Sequence, residues 1–168
     1  MSEHDRRPAA DRELADRRIA EVLATSTGGV GTHLRSVLAA LGRAGAAVRV
    51  CGPRATEQLF GFTATGADFR EVGISAGLAP AADLRAVLAL RRATSGADLV
   101  HAHGLRAGLV AAAARRLAGE RRRPLVLTLH NALPGGGGPS RHRHQFGLHR
   151  LDQFVVFLAL QLRHRRLP

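Results

Sequence analysis

Histidines stand at the ends of two predicted strands, where an imidazole can bind a ligand or exchange a proton with it. Asp98–Gly104 reads DLVHAHG, and strand alternation puts His101 and His103 on one side of the sheet, with His103 nearer the carboxyl end. The next strand ends in LHN, which brings His130 and Asn131 to the same edge. Ligands of open α/β sheets bind at this edge. We therefore expect a functional His103 and a pocket lined by His130 and Asn131, while His101 is either structural or functional.

A glycine-rich loop precedes the first predicted helix. Thr27–Gly31 reads TGGVG and follows a short apolar run. Glycines lack a Cβ and let a ligand approach the backbone closely, and a helix N-terminus favours an anion. Gly28, Gly29 and Gly31 are therefore candidates for binding a phosphate or a sugar hydroxyl. The alternative is a tight turn that binds nothing.

The loop does not match the fingerprint of dinucleotide-binding enzymes. Gly29–Leu34 begins as G-x-G but ends in Leu34, where that fingerprint has glycine or alanine. The second predicted strand leads into Gly52, Pro53 and Arg54, with no acid to bind a ribose. A nicotinamide enzyme is therefore disfavoured.

The sequence also has no serine nucleophile elbow, no P-loop and no zinc-protease helix.

The elements that must position these residues alternate between strands and helices. The predicted strands are Arg18–Ala24, Val48–Cys51, Phe69–Ile74, Leu99–His103 and Leu125–His130, and the predicted helices are Val30–Leu41, Pro80–Ser95 and Leu105–Leu117. Arg54–Phe62 holds one or two further helical turns. This alternation predicts an α/β fold with a Rossmann-like, doubly wound, mostly parallel sheet.

Apolar residues at helical spacing mark the two later helices. In the Pro80–Ser95 helix, Leu84, Val87 and Leu88 share one face, away from the arginines. The helix after it is marked by Leu105, Leu109, Val110, Ala113 and Leu117.

Composition divides the chain into three parts. Residues 1–17 are charged and lack an apolar period, which indicates a disordered arm. Residues 18–131 carry the α/β pattern. Residues 132–168 are rich in Gly, Pro, Arg and His, with six arginines and one acid, and we expect this atypical tail to be disordered or the product of a frameshift.

The charge and the cysteine content narrow the choice of partners. All 25 basic residues are arginines, and the formal charge is +12. These arginines are dispersed and lack interleaved aromatic residues, so we expect no nucleic-acid partner. The single Cys51 fits a reducing cytoplasm, and neither a signal peptide nor a transmembrane segment is expected. We expect a cytoplasmic location that includes the inner face of the membrane.

The motifs GGVGTH, DLVHAHG and VLTLHN occur in this order and are separated by helices. Together they resemble glycosyltransferase family 4 over about residues 20–131, the N-terminal, acceptor-side Rossmann-like half of a retaining GT-B enzyme. The resemblance implies transfer of a hexose from a nucleotide-sugar donor to a sugar, lipid or small-molecule acceptor, with no cofactor and no metal.

The resemblance also implies roles for individual residues. Gly28 and Gly29 would face the donor phosphates or the acceptor, His103 would be the catalytic residue near the transferred sugar, and His130 would shape the acceptor pocket. The donor-binding C-terminal domain of such enzymes contains an E-x7-E helix. Glu13 and Glu21 have that spacing but stand in the acid-rich start of the chain, so we attribute the spacing to chance and give them no role.

The expected C-terminal domain has no counterpart in residues 132–168. We therefore expect a truncated enzyme that is inactive alone, or one whose second domain is a separate chain. Two alternatives remain open: a non-catalytic Rossmann-like module that binds a sugar phosphate or a partner, and an arginine-rich nucleic-acid binder. The tail histidines His142, His144, His149 and His164 lack nearby carboxylates, and we expect no metal site there.

Overall fold

The computed structural model describes residues 14–120 and 122–129. Strands and helices alternate throughout this part of the chain. In order they are β1 Arg18–Leu23, α1 Gly29–Arg43, β2 Ala47–Gly52, α2 Arg54–Phe60, a 3-10 helix Phe62–Thr65, β3 Asp68–Glu71, α3 Pro80–Ala93, β4 Leu99–His103, α4 Leu105–Leu117 and β5 Leu125–Thr128.

The five strands form one parallel sheet in the order β3-β2-β1-β4-β5. The chain first builds outward from β1 to β3 and then returns to add β4 and β5 on the other side of β1. The strand order therefore reverses between β1 and β4, and the crevice at the carboxyl end of such a switch point is where α/β sheets bind ligands. The predicted fold class, a Rossmann-like, doubly wound parallel sheet, is confirmed.

One face of the sheet is covered by α3 and α4 through small aliphatic residues. Ala20 and Val22 of β1 and Ala102 of β4 belong to the same buried cluster as Leu90 of α3 and Val110 of α4. Their alternate neighbours on the strands point to the opposite face, where α1 packs through Leu34 and Leu38. We call these the α3/α4 face and the α1 face.

The apolar residues predicted to mark α3 and α4 are not, for the most part, those that pack on the sheet. Leu84 is 59% exposed and Leu109 is 52% exposed. The buried residues of the two helices are instead mainly alanines, together with Leu90, Gly108 and Val110. An added Cβ at Gly108 would lie 2.7 Å from Leu127 Cδ1, so this glycine lets α4 approach β5 closely. In helices this rich in alanine, close approach selects the packing face more strongly than side-chain hydrophobicity does.

Two strand ends differ from their predictions. β3 ends at Glu71 instead of Ile74, because the chain turns and the Ile74 carbonyl accepts a hydrogen bond from Thr25 N–H, beyond the end of β1. The described part of β5 ends at Thr128, and His130 and Asn131 lie outside the described residues. Residues 1–13 and 132–168 also lie outside the described residues, and the boundaries of arm and tail stay predictions. No helix within the described residues is long and apolar enough to cross a membrane.

Candidate functional site

A buried polar cluster lies on the α1 face, between the two strands at the switch point. In the parallel register of β1 and β4, Glu21 stands beside His101 and Leu23 beside His103. Because side chains alternate along a strand, Glu21, His101 and His103 all project to the same side. Thr128 of β5 stands beside His103 on the next strand and completes the set.

The Glu21 carboxylate connects the two imidazoles. Glu21 Oε2 lies 2.7 Å from His103 Nε2 and 3.0 Å from His101 Nδ1. His101 Nε2 in turn lies 2.8 Å from the Thr128 hydroxyl. The side chains of Glu21 and His103 are 1% and 0% exposed, and that of His101 is 15% exposed. We call Glu21, His101, His103 and Thr128 the switch-point cluster.

The electrostatics of the cluster favour an ionised carboxylate. Burial raises the pKa of Glu21, but hydrogen bonds and charge interactions from His101 and His103 outweigh burial, and the net pKa is lowered. An ionised carboxylate only accepts hydrogen bonds, so both histidines direct an N–H towards it. The cluster therefore holds a carboxylate between two imidazoles at hydrogen-bond distance.

A third imidazole lies beside the cluster. His33 stands in the first turns of α1, and its ring centroid is 6.2 Å from that of His103 in an edge-on arrangement. Its partial burial lowers its pKa, and the nearby His103 and His101 lower it further, whereas Glu21 raises it. His33 is partly exposed, so it is more accessible to a ligand at the edge of the sheet than the buried His103.

The glycine loop begins α1 at the same edge. Gly28 is the residue before the helix, it makes no side-chain capping bond, and the first turn contains no acid. A Cβ at Gly28 or Gly29 would meet nothing within 4 Å, so both lie beside open space. Gly31 differs, because a Cβ there would lie 2.2 Å from a ring carbon of Phe60. Packing against Phe60 gives a reason for glycine at 31, and its contact with a substrate stays a prediction.

An ion pair fixes the other rim of this edge. Arg106 of α4 pairs with Asp83 of α3, and the hydrogen bond from Arg106 is the main cause of the lowered pKa of Asp83. Arg106 also donates to the carbonyl of Ser75 in the loop after β3. This contact joins α3, α4 and the loop that leads from β3 into α3.

The structure brings together some of the predicted residues and adds others. His103 and the glycine loop lie at one edge, and the role of His103 near a transferred sugar stays a prediction. Sequence reasoning missed His33 and Thr128 and gave no role to Glu21, which lies within β1 and contacts both histidines. The available signal was a glutamate inside an apolar strand, because a buried carboxylate is stable only with partners.

The donor atoms of the cluster also meet the geometric requirement for a cation site. Glu21, His101 and His103 each offer one ligand atom, and these atoms lie within 4.8 Å of one another. The set contains two imidazole nitrogens and one carboxylate oxygen, which are common ligands of divalent transition metals.

Comparison with known proteins identifies the family. The sequence model of the glycosyl transferase 4-like domain matches residues 28–163, well over half of the chain. This match continues past residue 131, although the predicted domain boundary itself stays untested. A comparison with curated proteins gave no significant match.

Solved structures share the fold. A structure described as the glycotransferase of kitacinnamycin superposes with a TM-score of 0.53 and 18% identity, over 69% of this chain and 31% of that chain. MurG of Acinetobacter baumannii superposes with a TM-score of 0.55 and 20% identity, over 70% of this chain and 36% of that chain. This chain thus corresponds to about a third of each neighbour. With a parallel Rossmann-like sheet and a family match over most of its length, the chain belongs to the glycosyl transferase 4-like domain family.

Proposed function

We propose that this domain forms the acceptor-side half of a glycosyltransferase that moves a hexose from a nucleotide sugar to an acceptor hydroxyl. In this reaction the bond between the sugar C1 and the diphosphate breaks, and a bond between C1 and the acceptor oxygen forms. The nucleoside diphosphate leaves with the bonding electron pair, and its phosphate oxygen takes up the proton that the acceptor hydroxyl loses. The product keeps the anomeric configuration of the donor.

One observation carries this proposal: the glycine loop and the switch-point cluster lie at the same edge of the sheet. The chain also belongs to the glycosyl transferase 4-like family. That edge is where a doubly wound sheet offers a crevice. A reaction that releases a diphosphate needs a site for negative charge. The N-terminus of α1 favours an anion, and it begins beside the open space at Gly28 and Gly29.

The imidazoles have separate roles in this proposal. His33 is the partly exposed one that a bound sugar or acceptor meets, and His103 lies behind it, held by Glu21. For His103 to contact the transferred sugar directly, as the family resemblance implies, the crevice must open further around its buried ring. Variants at both positions are therefore informative.

A complete cleft needs a second half. Catalysis of group transfer depends on positioning both substrates and on groups that stabilise the developing charge. Because the chain corresponds to about a third of the solved chains above, we assign most donor contacts to a donor-side domain. We expect little or no turnover from these 168 residues alone. Robust hexose transfer by the purified chain would contradict that expectation.

The glycine loop can be tested on the chain itself. Titration with a panel of nucleoside diphosphate hexoses, followed by amide NMR, should shift the signals of Gly28 and Gly29. Gly28→Asp places a carboxylate at the helix N-terminus and should weaken the response on the order of tenfold or more, because it competes with the anion. Gly42→Asp puts the same charge near the other end of α1 and is the matched control. Unmoved Gly28 and Gly29 signals across the panel would refute this site.

Reconstitution tests the reaction. Combined with a donor-side domain, the chain should transfer labelled hexose, and His103→Ala and His33→Ala should each lower kcat while the far-UV spectrum is unchanged. Arg91→Ala, on the exposed surface of α3, is the control and should leave kcat unaffected. If the chain binds the sugar phosphate but no combination turns over, it is a binding module and the transferase proposal is wrong.

A further inference from the structure

We propose that the switch-point cluster is a zinc site, with Glu21, His101 and His103 as the three protein ligands and a water molecule in the fourth position. The inference is independent of the proposed function, because the family resemblance implies that hexosyl transfer itself needs no metal. The ion would join β1 to β4 at the point where the strand order reverses. Its role would be to fix the floor of the crevice.

The distances suit such an ion after a small adjustment. Zn²⁺ bonds of about 2.0–2.2 Å to imidazole nitrogen and carboxylate oxygen place neighbouring ligand atoms about 3.3 Å apart in a tetrahedral site. Glu21 Oε2 now lies 2.7 Å from His103 Nε2 and 3.0 Å from His101 Nδ1, as hydrogen-bonded neighbours. A separation of a few tenths of an ångström, through side-chain torsions, opens the space for the cation.

The charge balance also favours a cation. The Glu21 carboxylate is buried, and among the described residues its ion-pair partners are the two histidines. A divalent ion bound by the carboxylate and the two imidazole nitrogens would supply the positive charge that balances this buried carboxylate.

A second-layer contact orients one of the ligands. The far nitrogen of His101 lies 2.8 Å from the Thr128 hydroxyl. Metal-bound histidines characteristically use their other ring nitrogen in such a hydrogen bond, which fixes the ring and its tautomer. The hydroxyl can donate to or accept from His101, so it suits both the empty and the metal-bound state.

The test uses the full chain and Co²⁺ as a spectroscopic substitute for Zn²⁺. The metal-stripped chain should bind about one Co²⁺ with the visible absorption of a low-coordinate nitrogen and oxygen site, and Zn²⁺ should displace it. Zn²⁺ at about a hundredfold excess over Kd should raise Tm by roughly 10 °C. Thr128→Val should weaken binding about 10- to 100-fold.

Variants separate this site from the histidines of the tail. Glu21→Gln and His101→Gln should each weaken Co²⁺ binding by on the order of 100-fold or more, with the far-UV spectrum as the check of folding. The double variant His142→Asn and His144→Asn removes the H-x-H pair of the tail and should bind as the parent does. The proposal is overturned if the parent binds no Co²⁺ tightly, if Gln at 21 and 101 leaves binding intact, or if the tail variant abolishes it.

Discussion

The two faces of the sheet carry alternate residues of the same strands, and they differ in the kind of side chain that they bury. On the α3/α4 face, Val100 and Ala102 of β4 pack into an aliphatic cluster. On the α1 face, His101 and His103 of the same strand surround the carboxylate of Glu21. The first face is stabilised by removing apolar area from water. The second also buries apolar residues, among them Leu34 and Leu38, but it must in addition pair the polar atoms of the cluster.

This difference shows which face of the sheet can hold a buried polar site. A purely aliphatic interface gains nothing from a buried carboxylate, which costs several kcal/mol unless it is paired. On the α1 face the buried carboxylate of Glu21 is paired, and it lies at the switch point next to the N-terminus of α1. The α3/α4 face, whose packing residues are mostly alanines, holds the sheet in place behind the cluster.

The largest effect should come from opening a cavity on the α3/α4 face. Leu90 is 1% exposed in α3, and Leu90→Ala should cost about 2–5 kcal/mol of unfolding free energy. Leu84→Ala in the same helix removes the same atoms from a site that is 59% exposed and should change stability by about 0.5 kcal/mol or less. Urea denaturation of both variants measures the contrast. Equal losses would mean that α3 packs through a different face.

Glu21→Gln should have the next largest effect, because it removes a charge that accepts two hydrogen bonds. We expect a loss of about 2–3 kcal/mol near neutral pH in metal-free buffer. The folded pKa of Glu21 is lowered from its ordinary value of 4.5, so the unfolded state binds more protons as the solution becomes acidic. The stabilisation is therefore complete above pH 4.5 and is lost as the pH falls through the lower folded pKa.

The check is the difference in unfolding free energy between parent and Glu21→Gln, measured from neutral pH down to pH 3. The difference should shrink below pH 4.5, and a difference that grows with acid would contradict the assignment. Glu71→Gln, which removes a carboxylate that is 53% exposed and pairs with Arg54, is the control and should show a much smaller difference.

The sequence predicted the order of strands and helices well, because glycine turns and apolar runs are local signals. β4 and α4 were predicted with the bounds that the structure shows. The packing faces of α3 and α4 were harder, because the exposed leucines Leu84 and Leu109 carry more hydrophobicity than the buried alanines. Which face packs depends on how closely a helix can approach the sheet, and only the assembled structure determines that distance.

The candidate site was only partly predictable for a similar reason. The alternation along β4 puts His101 and His103 on one side, and this was visible in the sequence. The partner of both histidines, Glu21, is about 80 residues earlier, and the parallel register of β1 and β4 brings it beside them. Such pairings between distant segments leave no spacing pattern along the chain.

Glycines at the start of α1 offer a third comparison, within the α1 face. Gly31→Ala would force a Cβ to 2.2 Å from the Phe60 ring and should cost about 1–2 kcal/mol as the ring is displaced. Gly29→Ala meets nothing within 4 Å and should be neutral or stabilise by about 0.5 kcal/mol, because alanine favours the helix. Thermal unfolding of the pair should therefore give shifts of opposite sign or clearly different size. Similar shifts would mean that Phe60 moves away freely.

The smallest effect contrasts one threonine on each face. Thr128→Val keeps the shape but removes the hydroxyl that lies 2.8 Å from His101 Nε2, and should cost about 1 kcal/mol. Thr94→Val removes a hydroxyl that donates to the Leu90 carbonyl, which already accepts a bond from Thr94 N–H, so this loss should be near zero. Both residues are buried, which makes the difference a measure of how much the α1 face depends on complete polar pairing. If the two variants lose the same free energy, the switch-point cluster is no more dependent on its hydrogen bonds than the aliphatic face.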